Sequence, residues 1–413
     1  MLQNVSLPPS RRALEFGIYR DGDNNLDAIQ EVTLAQARDV SAKDSRIEFT
    51  VQDTTSRHGG ADGIARGALH TNEYTIADGD VHGARIGKAH DMSDRKNLTA
   101  FVARTLDNAE ASGAKETWLD LVDHGGGDGG GLQTRDGACM SMPDIAGAVA
   151  DGVALHAKEH PEDAGRGVDG VVANQCLMDT MGFADALSHA GVKYLAASPE
   201  TMLAPGVPST VAHDIAAHAG DAKAQAESMV RDVMRTKYGI DDEPGDRFGP
   251  AAAFDVLDLD PAKMARAEAA IKRFNDDASA AAGKDPATRD AVRDDARSID
   301  GMVRFPGSNG LPWHADRPAI ALYDTIASDA RLNQTLRDDA RAASASVSDL
   351  VLAHKESRGF EPFGGSDYSD AAGPTVHVPV KRSQVDPWAP DVSETNNEFY
   401  RSVDQAKFTR VVA

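Results

Sequence analysis

The chain has 413 residues, a formal net charge of −22 and 41% apolar residues. This length predicts one large domain or two, with enough apolar residues for a substantial core. The acidic surplus argues against nucleic acid or an anionic membrane as a partner, because phosphate binding needs a surplus of Lys and Arg.

The two cysteines, Cys139 and Cys176, cannot form a disulfide framework and leave at most one bridge open. Such low cysteine usage is typical of a reducing compartment. The first residues, MLQNVSLPPSRR, lack the apolar stretch of a secretory signal, and no apolar run reaches the roughly 18 residues of a membrane span. We therefore expect a cytoplasmic chain without a membrane segment, and a secreted one only if a leader has been trimmed away.

Five short apolar runs alternate with helical patterns in the first half of the chain. The predicted strands are ALEFGIY (13–19), RIEFTVQD (46–53), TWLDLVDH (117–124), VDGVVANQC (168–176) and KYLAASPE (193–200). Helical spacing of apolar residues occupies 27–40, 97–113, 142–157 and 177–187. Apolar strands separated by helices predict an α/β fold with a mostly parallel central sheet flanked by helices.

The second half of the chain has mainly helical patterns. Helices are predicted over 224–239, 260–283 and 331–357, with a Gly- and Pro-rich loop at 304–318. PTVHVPV (374–380) is typical of a strand, and its prolines favour a sheet edge. We expect a tail over 1–12, an α/β catalytic domain over 13–240, and a mainly helical region with a late edge strand over 241–413.

Two motifs resemble metal sites only in part. DGDNNLD (21–27) starts like an EF-hand loop, but Leu26 stands where glycine is needed and Val32 where a bidentate glutamate is needed. A strand-to-helix turn, with Asn and Asp as caps, fits better. His156 and His160 share a helix face without a third ligand, and we expect no metal there.

The glycine run LVDHGGGDGGG (121–131) has the spacing of a phosphate-binding loop. It lacks the Lys-Ser or Lys-Thr of a Walker A motif, and no helix begins directly after it. A phosphate-binding enzyme is therefore only a third interpretation of the chain. The histidine within the run, His124, draws more attention than the glycines.

His124 and Cys176 each end a predicted strand, and they are 52 residues apart. A cysteine nucleophile needs a nearby base because its free thiol, with a pKa of about 8.5, is mostly protonated at neutral pH. Neighbouring parallel strands would bring the two residues to the same sheet edge. A single cysteine more often packs as a small apolar residue, and that is our interpretation of Cys139.

The motifs, taken in order, resemble the clostripain-like cysteine peptidases, relatives of the caspases, gingipains and legumains. The matching stretches are YRDGDNNLD (19–27), LVDHGGG (121–127), NQCLMDTMGFADAL (174–187) and YLAASPETMLAPG (194–206). AFDVLDLDPAKM (253–264) and GPTVHVPV (373–380) match more loosely. The resemblance spans nearly the whole chain and implies a caspase-like fold.

This resemblance implies a Cys–His dyad. Cys176 would be the nucleophile, and His124 the base that later protonates the leaving amine. The backbone N–H groups of Gly125 and Cys176 would form the oxyanion hole, so glycine follows the histidine to let that backbone approach the carbonyl. No third catalytic residue is implied, and Asp123 is expected to face the opposite side of its strand.

The resemblance also implies cleavage of peptide or protein substrates after Arg or Lys. The family places an acid two residues before the cysteine, where this chain has the neutral Asn174. Ser198 and Glu200 belong to the other substrate-binding segment, with Pro199 between them. No cofactor is required for the chemistry, and the acidic loops permit Ca²⁺ without indicating a site.

Members of this family often mature by cleavage between the histidine and cysteine motifs. Arg135, Lys158 and Arg166 are the basic candidates in that stretch, and AKEHPEDAGRG (157–167) is typical of an exposed loop. The alternative function is a catalytically silent caspase-like module that binds peptides or a partner. Asn174 and Pro199 favour that alternative, and the intact His124–Cys176 pair argues against it.

Overall fold

A computed structural model describes residues 12–59, 65–133, 137, 139–202, 205–237, 252–302, 315–357, 369–380 and 397–413. The strands are β1 (Leu14–Asp21), β2 (Ile47–Gly59), β3 (Ala65–Ala77), β4 (Asp80–Lys88), β5 (Glu116–Val122), β6 (Gly170–Asn174), β7 (Tyr194–Ala197), β8 (Ala252–Asp258), β9 (Asp316–Pro318), β10 (Val351–Ser357) and β11 (Thr375–His377). Nine of them form one sheet in the order β10-β8-β7-β6-β5-β1-β2-β3-β4.

The centre of this sheet is parallel and its two edges are antiparallel. Strands β2, β1, β5, β6 and β7 pair in parallel. β3 and β4 extend one edge, and β8 and β10 the other, all in antiparallel pairs. β9 and β11 form a separate two-stranded antiparallel sheet.

Twelve α-helices lie within the described residues. They are α1 (Asp27–Lys43), α2 (Arg95–Ser112), α3 (Met142–Glu159), α4 (Met181–His189), α5 (Val211–Ala217), α6 (Ala222–Asp232), α7 (Pro261–Lys284), α8 (Pro286–Ser298), α9 (Ala319–Ser328), α10 (Gln334–Ser348), α11 (Glu398–Ser402) and α12 (Gln405–Val412). Among these helices, none combines the length and apolarity needed to cross a membrane.

The core consists of two apolar layers, one on each face of the sheet. Alternate residues of β5 face opposite layers: Leu119 and Leu121 pack with α2, α3 and α4, whereas Trp118 and Val122 pack with α1, α5 and α6. A strand buried on both faces needs a continuous apolar run, which explains why the sequence pattern located the central strands. The predicted α/β fold class, with a mostly parallel sheet flanked by helices, is confirmed.

In the second half of the chain, the helix predicted over 331–357 was wrong at its end. Residues 351–357 form a strand, β10, not the end of a helix, because they pair with β8. Both strands follow residue 240 and extend the sheet of the preceding residues, so the expected boundary there does not divide the sheet. The strand predicted at 374–380 is present as β11, but it pairs with β9 outside the large sheet.

Candidate active site

The ends of β5 and β6 bring His124 and Cys176 together. In the parallel pairing of β5 with β6, Val122 lies opposite Asn174, an offset of 52 residues. The same offset separates His124 from Cys176. The ladder continues past its last pair, because the backbone N–H of Asp123 donates to the carbonyl of Asn174 at 3.4 Å. Both residues therefore lie at the carboxyl edge of neighbouring parallel strands, where ligands bind in open α/β sheets.

Gly125 makes the closest approach between the two loops. A Cβ added to it would lie 2.3 Å from the carbonyl oxygen of Cys176 and 2.8 Å from the Cβ of Gln175. These separations are far shorter than van der Waals contact, so no side chain fits. The structure thus adds a reason for the glycine after His124, namely close contact with the cysteine turn.

Apart from the exposed Gly129, the rest of the glycine run is packed against its surroundings. The N–H of Gly131 donates to the carbonyl of Met140 at 3.0 Å, and a Cβ on Gly130 would lie 2.2 Å from that same oxygen. The Tyr400 hydroxyl donates to Asp128 Oδ2 at 2.5 Å, and burial raises the pKa of Asp128 to about 7. Asp128, Gly130 and Gly131 are therefore fixed by residues outside the run.

His124 has a hydrogen-bond partner that the sequence did not reveal. Its Nε2 lies 2.7 Å from Oδ1 of Asn25, which belongs to the DGDNNLD turn after β1. The ring is half-buried, and this burial lowers the pKa of His124. Because β1 pairs with β5, this turn lies beside the histidine loop, and adjacency of strand ends was the signal that could have identified Asn25.

Side-chain hydrogen bonds hold this turn in place. Asn24 donates to Oδ1 of Asp123 and, at 2.9 Å, to the carbonyl of Gln133. The backbone N–H of Leu26 donates to Oδ1 of Asn24 at 2.9 Å. Leu26 is the N-cap of α1 and has no side-chain capping bond, so the expected turn is present but the expected Asn or Asp cap is not. Burial raises the pKa of Asp123 well above its ordinary range.

Cys176 lies in the turn after β6 and is partly exposed. The backbone N–H of Met202 donates to its Sγ at 3.2 Å, and that of Leu177 donates to the carbonyl of Glu200 at 3.1 Å. The thiol in turn donates to the carbonyl of Met202 at 3.7 Å. Leu177 has a φ of 65°, a left-handed conformation that is uncommon for leucine and often marks a functional turn.

The predicted substrate-binding residues are all buried and bonded to the backbone of Glu200, Thr201 or Val207. Asn174 accepts from the N–H of Val207 at 2.6 Å and donates to its carbonyl at 3.0 Å. Ser198 Oγ accepts from the N–H of Glu200 at 3.1 Å. Glu200 Oε1 accepts from the N–H of Thr201 at 2.7 Å. The structure therefore shows these side chains shaping the loop that contacts the cysteine turn.

The candidate processing residues have different environments. Lys158 is exposed in the last turn of α3, so the loop expected over 157–167 begins only after Glu159. Arg166 donates to the carbonyl of Ala114 at 2.9 Å and pairs with Asp163. Arg135 lies outside the described residues. Cys139 is exposed, so its interpretation as a buried apolar residue was wrong.

No protein-family model matches the chain, and no curated protein sequence does so either. Three solved structures share its fold. An inactive zymogen of a C11 protease from Parabacteroides distasonis is 15% identical, with a TM-score of 0.62 over 96% of this chain and 99% of that one. Iotapain, a secreted C11 cysteine protease from Bacteroides thetaiotaomicron, is 13% identical, with a TM-score of 0.65 over 96% of this chain and 100% of that one.

The third structure is a secreted C11 cysteine protease from Bacteroides thetaiotaomicron in complex with an irreversible peptide inhibitor. It is 13% identical, with a TM-score of 0.63 over 95% of this chain and 99% of that one. At these identities the likeness establishes the fold. The resemblance to clostripain-like peptidases found in the sequence is thus confirmed at the level of the fold.

Proposed function

We propose that this chain, which has the fold of the C11 cysteine proteases, is itself a cysteine endopeptidase with Cys176 as nucleophile and His124 as general acid and base. The observation that carries the proposal is the shared register of the two strand ends, together with the close contact of Gly125 with the Cys176 carbonyl. Neither the shared register nor the close contact would be expected if His124 and Cys176 had no common function.

The hydrogen bond that His124 donates to Asn25 assigns separate roles to the two ring nitrogens of His124. Because an amide oxygen only accepts, the proton of the neutral ring sits on Nε2 and Nδ1 is left as the basic nitrogen. Nδ1 takes the thiol proton of Cys176, and the sulfur attacks the peptide carbonyl. Burial lowers the pKa of His124 and so favours the neutral ring, which is the form that can accept the thiol proton.

The remaining steps use backbone groups and water. The N–H groups of Gly125 and Cys176 donate to the oxyanion of the tetrahedral intermediate, and each such donor is typically worth about 10²–10³ in kcat. His124 then protonates the leaving amine, and water hydrolyses the acyl-enzyme. This chemistry uses no cofactor. Within the described residues, the groups that could hold a metal do not include the acidic turn at 21–27.

For specificity, we propose a preference for substrates with Arg or Lys at P1. The net charge of −22 favours a basic substrate in the encounter. Glu200 is buried and its carboxylate accepts from the N–H of Thr201, so its part in this preference is to hold its segment beside the cysteine turn, where its carbonyl accepts from Leu177. Asn174 contributes by holding that segment through Val207.

Self-processing between His124 and Cys176 is proposed at Arg166. Proteases bind extended backbone, which excludes the helical Lys158 as it stands, and Arg166 follows the helical turn at Pro161–Asp163. Cleavage there requires release of the Arg166–Asp163 ion pair. Intact mass after incubation should show two fragments for the wild type and one intact chain for Cys176→Ala; equal cleavage of both, or of neither, would contradict self-processing.

The experiment for the activity itself is a cleavage profile on a peptide library. We expect cuts after Arg and Lys by the wild type and none by Cys176→Ala or His124→Ala. Cuts after other residues would retain the peptidase and replace the P1 assignment. A folded wild type that binds library peptides without cleaving them would instead support a silent peptide-binding module.

A further inference from the structure

Two histidines outside the active site lie against acidic side chains of the neighbouring helix. His156 is in the last turn of α3 and His160 follows it directly, while α2 contributes Asp107 and Glu110. Asp163, in the helical turn after α3, completes the cluster. The sequence showed only the two histidines, without a third ligand, because the carboxylates come from other segments.

His156 is oriented like a metal ligand. Its side chain is fully buried, and Nδ1 donates to Oδ1 of Asp107 at 2.7 Å. In the neutral ring, that bond places the proton on Nδ1 and the lone pair on Nε2, as the carboxylate partner of a metal-bound histidine does. Nε2 is buried and has no hydrogen-bond partner, and Oδ2 of Asp163 lies 3.5 Å from it.

The two nearby carboxylates are also held by outer partners. Oε2 of Glu110 lies 2.6 Å from Nδ1 of His160, whose ring stacks on that of His156 with centroids 4.9 Å apart. Asp163 is held by Arg166. One potential ligand atom from each of Glu110, His156 and Asp163 lies within 4.8 Å of the others.

We propose that Glu110, His156 and Asp163 bind a divalent transition metal of the zinc class. Zinc bonds of about 2.0–2.2 Å to nitrogen and oxygen place tetrahedral ligand atoms about 3.3 Å apart, close to the 3.5 Å between His156 and Asp163. An imidazole ligand selects such metals over Ca²⁺ and Mg²⁺. Asp107 and His160 are positioning residues that orient the ligands.

The metal would add a link between three segments of the chain, two of which already pack on each other through apolar side chains. These segments are α2, the end of α3, and the turn at Pro161–Asp163. The turn leads into β6, so the metal would fasten the connection between the His124 and Cys176 strands. Its role is structural and independent of the proposed peptidase chemistry.

Zinc titration of the full chain tests the site. The background should carry Cys176→Ala and Cys139→Ser, so that no thiolate binds the metal and no self-cleavage occurs. With a chromophoric chelator as competitor, we expect one tight equivalent of Zn²⁺ and a rise in Tm. Ca²⁺ at the same concentration should leave Tm unchanged.

Four variants separate ligation from a general charge effect. We expect Glu110→Gln and Asp163→Asn to weaken Zn²⁺ binding by more than about 100-fold, and Asp107→Asn by about 10- to 100-fold. Glu159→Gln removes the same charge from the exposed end of α3 and should bind Zn²⁺ like the parent. Binding that is absent in the parent, or equal in Asp163→Asn and Glu159→Gln, would overturn the site.

A further readout does not depend on how the variants fold. Co²⁺ added to the parent chain should give the intense visible absorption of a low-coordinate site, and Zn²⁺ should displace it. Only the weak spectrum of aqueous Co²⁺, or a Tm increase as large with Ca²⁺ as with Zn²⁺, would overturn the assignment to a zinc-class metal.

Discussion

Replacing Asn25 by alanine tests the hydrogen bond that orients the catalytic histidine. The bond joins Asn25 Oδ1 to His124 Nε2 at 2.7 Å, and Asn25 itself is exposed. A hydrogen bond is worth about 0.5–1.5 kcal/mol to a neutral partner and about 1.5–3 kcal/mol to a charged one. Only the part gained when the ring becomes an imidazolium accelerates the reaction. We therefore expect a loss of about 1–2 kcal/mol, or roughly 5- to 30-fold in kcat/KM.

The assay is kcat/KM on a fluorogenic peptide with Arg at P1, corrected for the active fraction by titration with an irreversible inhibitor. Asn97→Ala is the matched control, because its amide donates to the carbonyl of Asp91 in an exposed bond outside the proposed site. Both variants should retain the wild-type Tm. Full activity in Asn25→Ala, or an equal loss in Asn97→Ala, would refute the orienting role.

The aspartate variant at the same position gives a second readout. In Asn25→Asp, the carboxylate still accepts from Nε2 of His124, and its negative charge also stabilises the imidazolium. Burial lowers the pKa of His124 in the wild type, and this charge should raise it again. The acid limb of kcat/KM should then move to higher pH, while activity above that limb is partly restored relative to Asn25→Ala. A role of Asn25 in the fold alone predicts no shift of this limb.

Three further predictions concern the surroundings of the site. Gly125→Ala places a Cβ 2.3 Å from the carbonyl oxygen of Cys176, so it should lower stability by about 1–3 kcal/mol and kcat by about 100-fold. In the control Gly129→Ala the added Cβ has no atom within 4 Å, so stability and kcat should be unchanged. Equal effects of the two substitutions would contradict a close contact at Gly125. Asn174→Asp leaves the carbonyl of Val207 without its hydrogen-bond donor. It should therefore lower the free energy of unfolding, measured in urea, by about 1–3 kcal/mol without improving cleavage after Arg. Unchanged stability with improved cleavage would instead place this side chain in the substrate pocket. Burial alone would lower the pKa of His354, but Asp255 and Glu356 raise it to about 10. The stability that this histidine contributes is therefore complete below about pH 6.5 and is lost as the pH rises toward 10. In urea unfolding, the stability advantage of the wild type over His354→Gln should shrink over that pH range, and a constant advantage would contradict the charged pair.

The central sheet could be predicted from the sequence because its strands are buried on both faces. The apolar runs that form β1, β2, β5, β6 and β7 are continuous, and the helices between them have clear periodicity. The edges of the sheet carry a weaker signal. β4 is exposed along its whole length, and β10 becomes a strand only through pairing with β8, some 100 residues earlier in the chain. Such pairing overrides local propensity.

The active site shows the same division. His124 and Cys176 were predictable because each follows a buried strand, and their spacing equals the register of the two strands. Asn25 and Tyr400 were not, because they contact the histidine loop across 99 and 272 residues of sequence. Side chains that orient or support a site from other segments leave no local pattern, and the same holds for the carboxylates around His156.

The most direct measurement of the central claim is covalent labelling by a peptidyl-arginine chloromethyl ketone, followed by intact and peptide mass spectrometry. We predict one adduct per chain on Cys176, greatly slowed labelling in His124→Ala, and no adduct in Cys176→Ala. The other cysteine, Cys139, whose thiol pKa is raised by desolvation and by the charge of Asp123, serves as the internal comparison. Labelling of Cys139 in preference to Cys176, or no labelling of the folded wild type, would contradict the account.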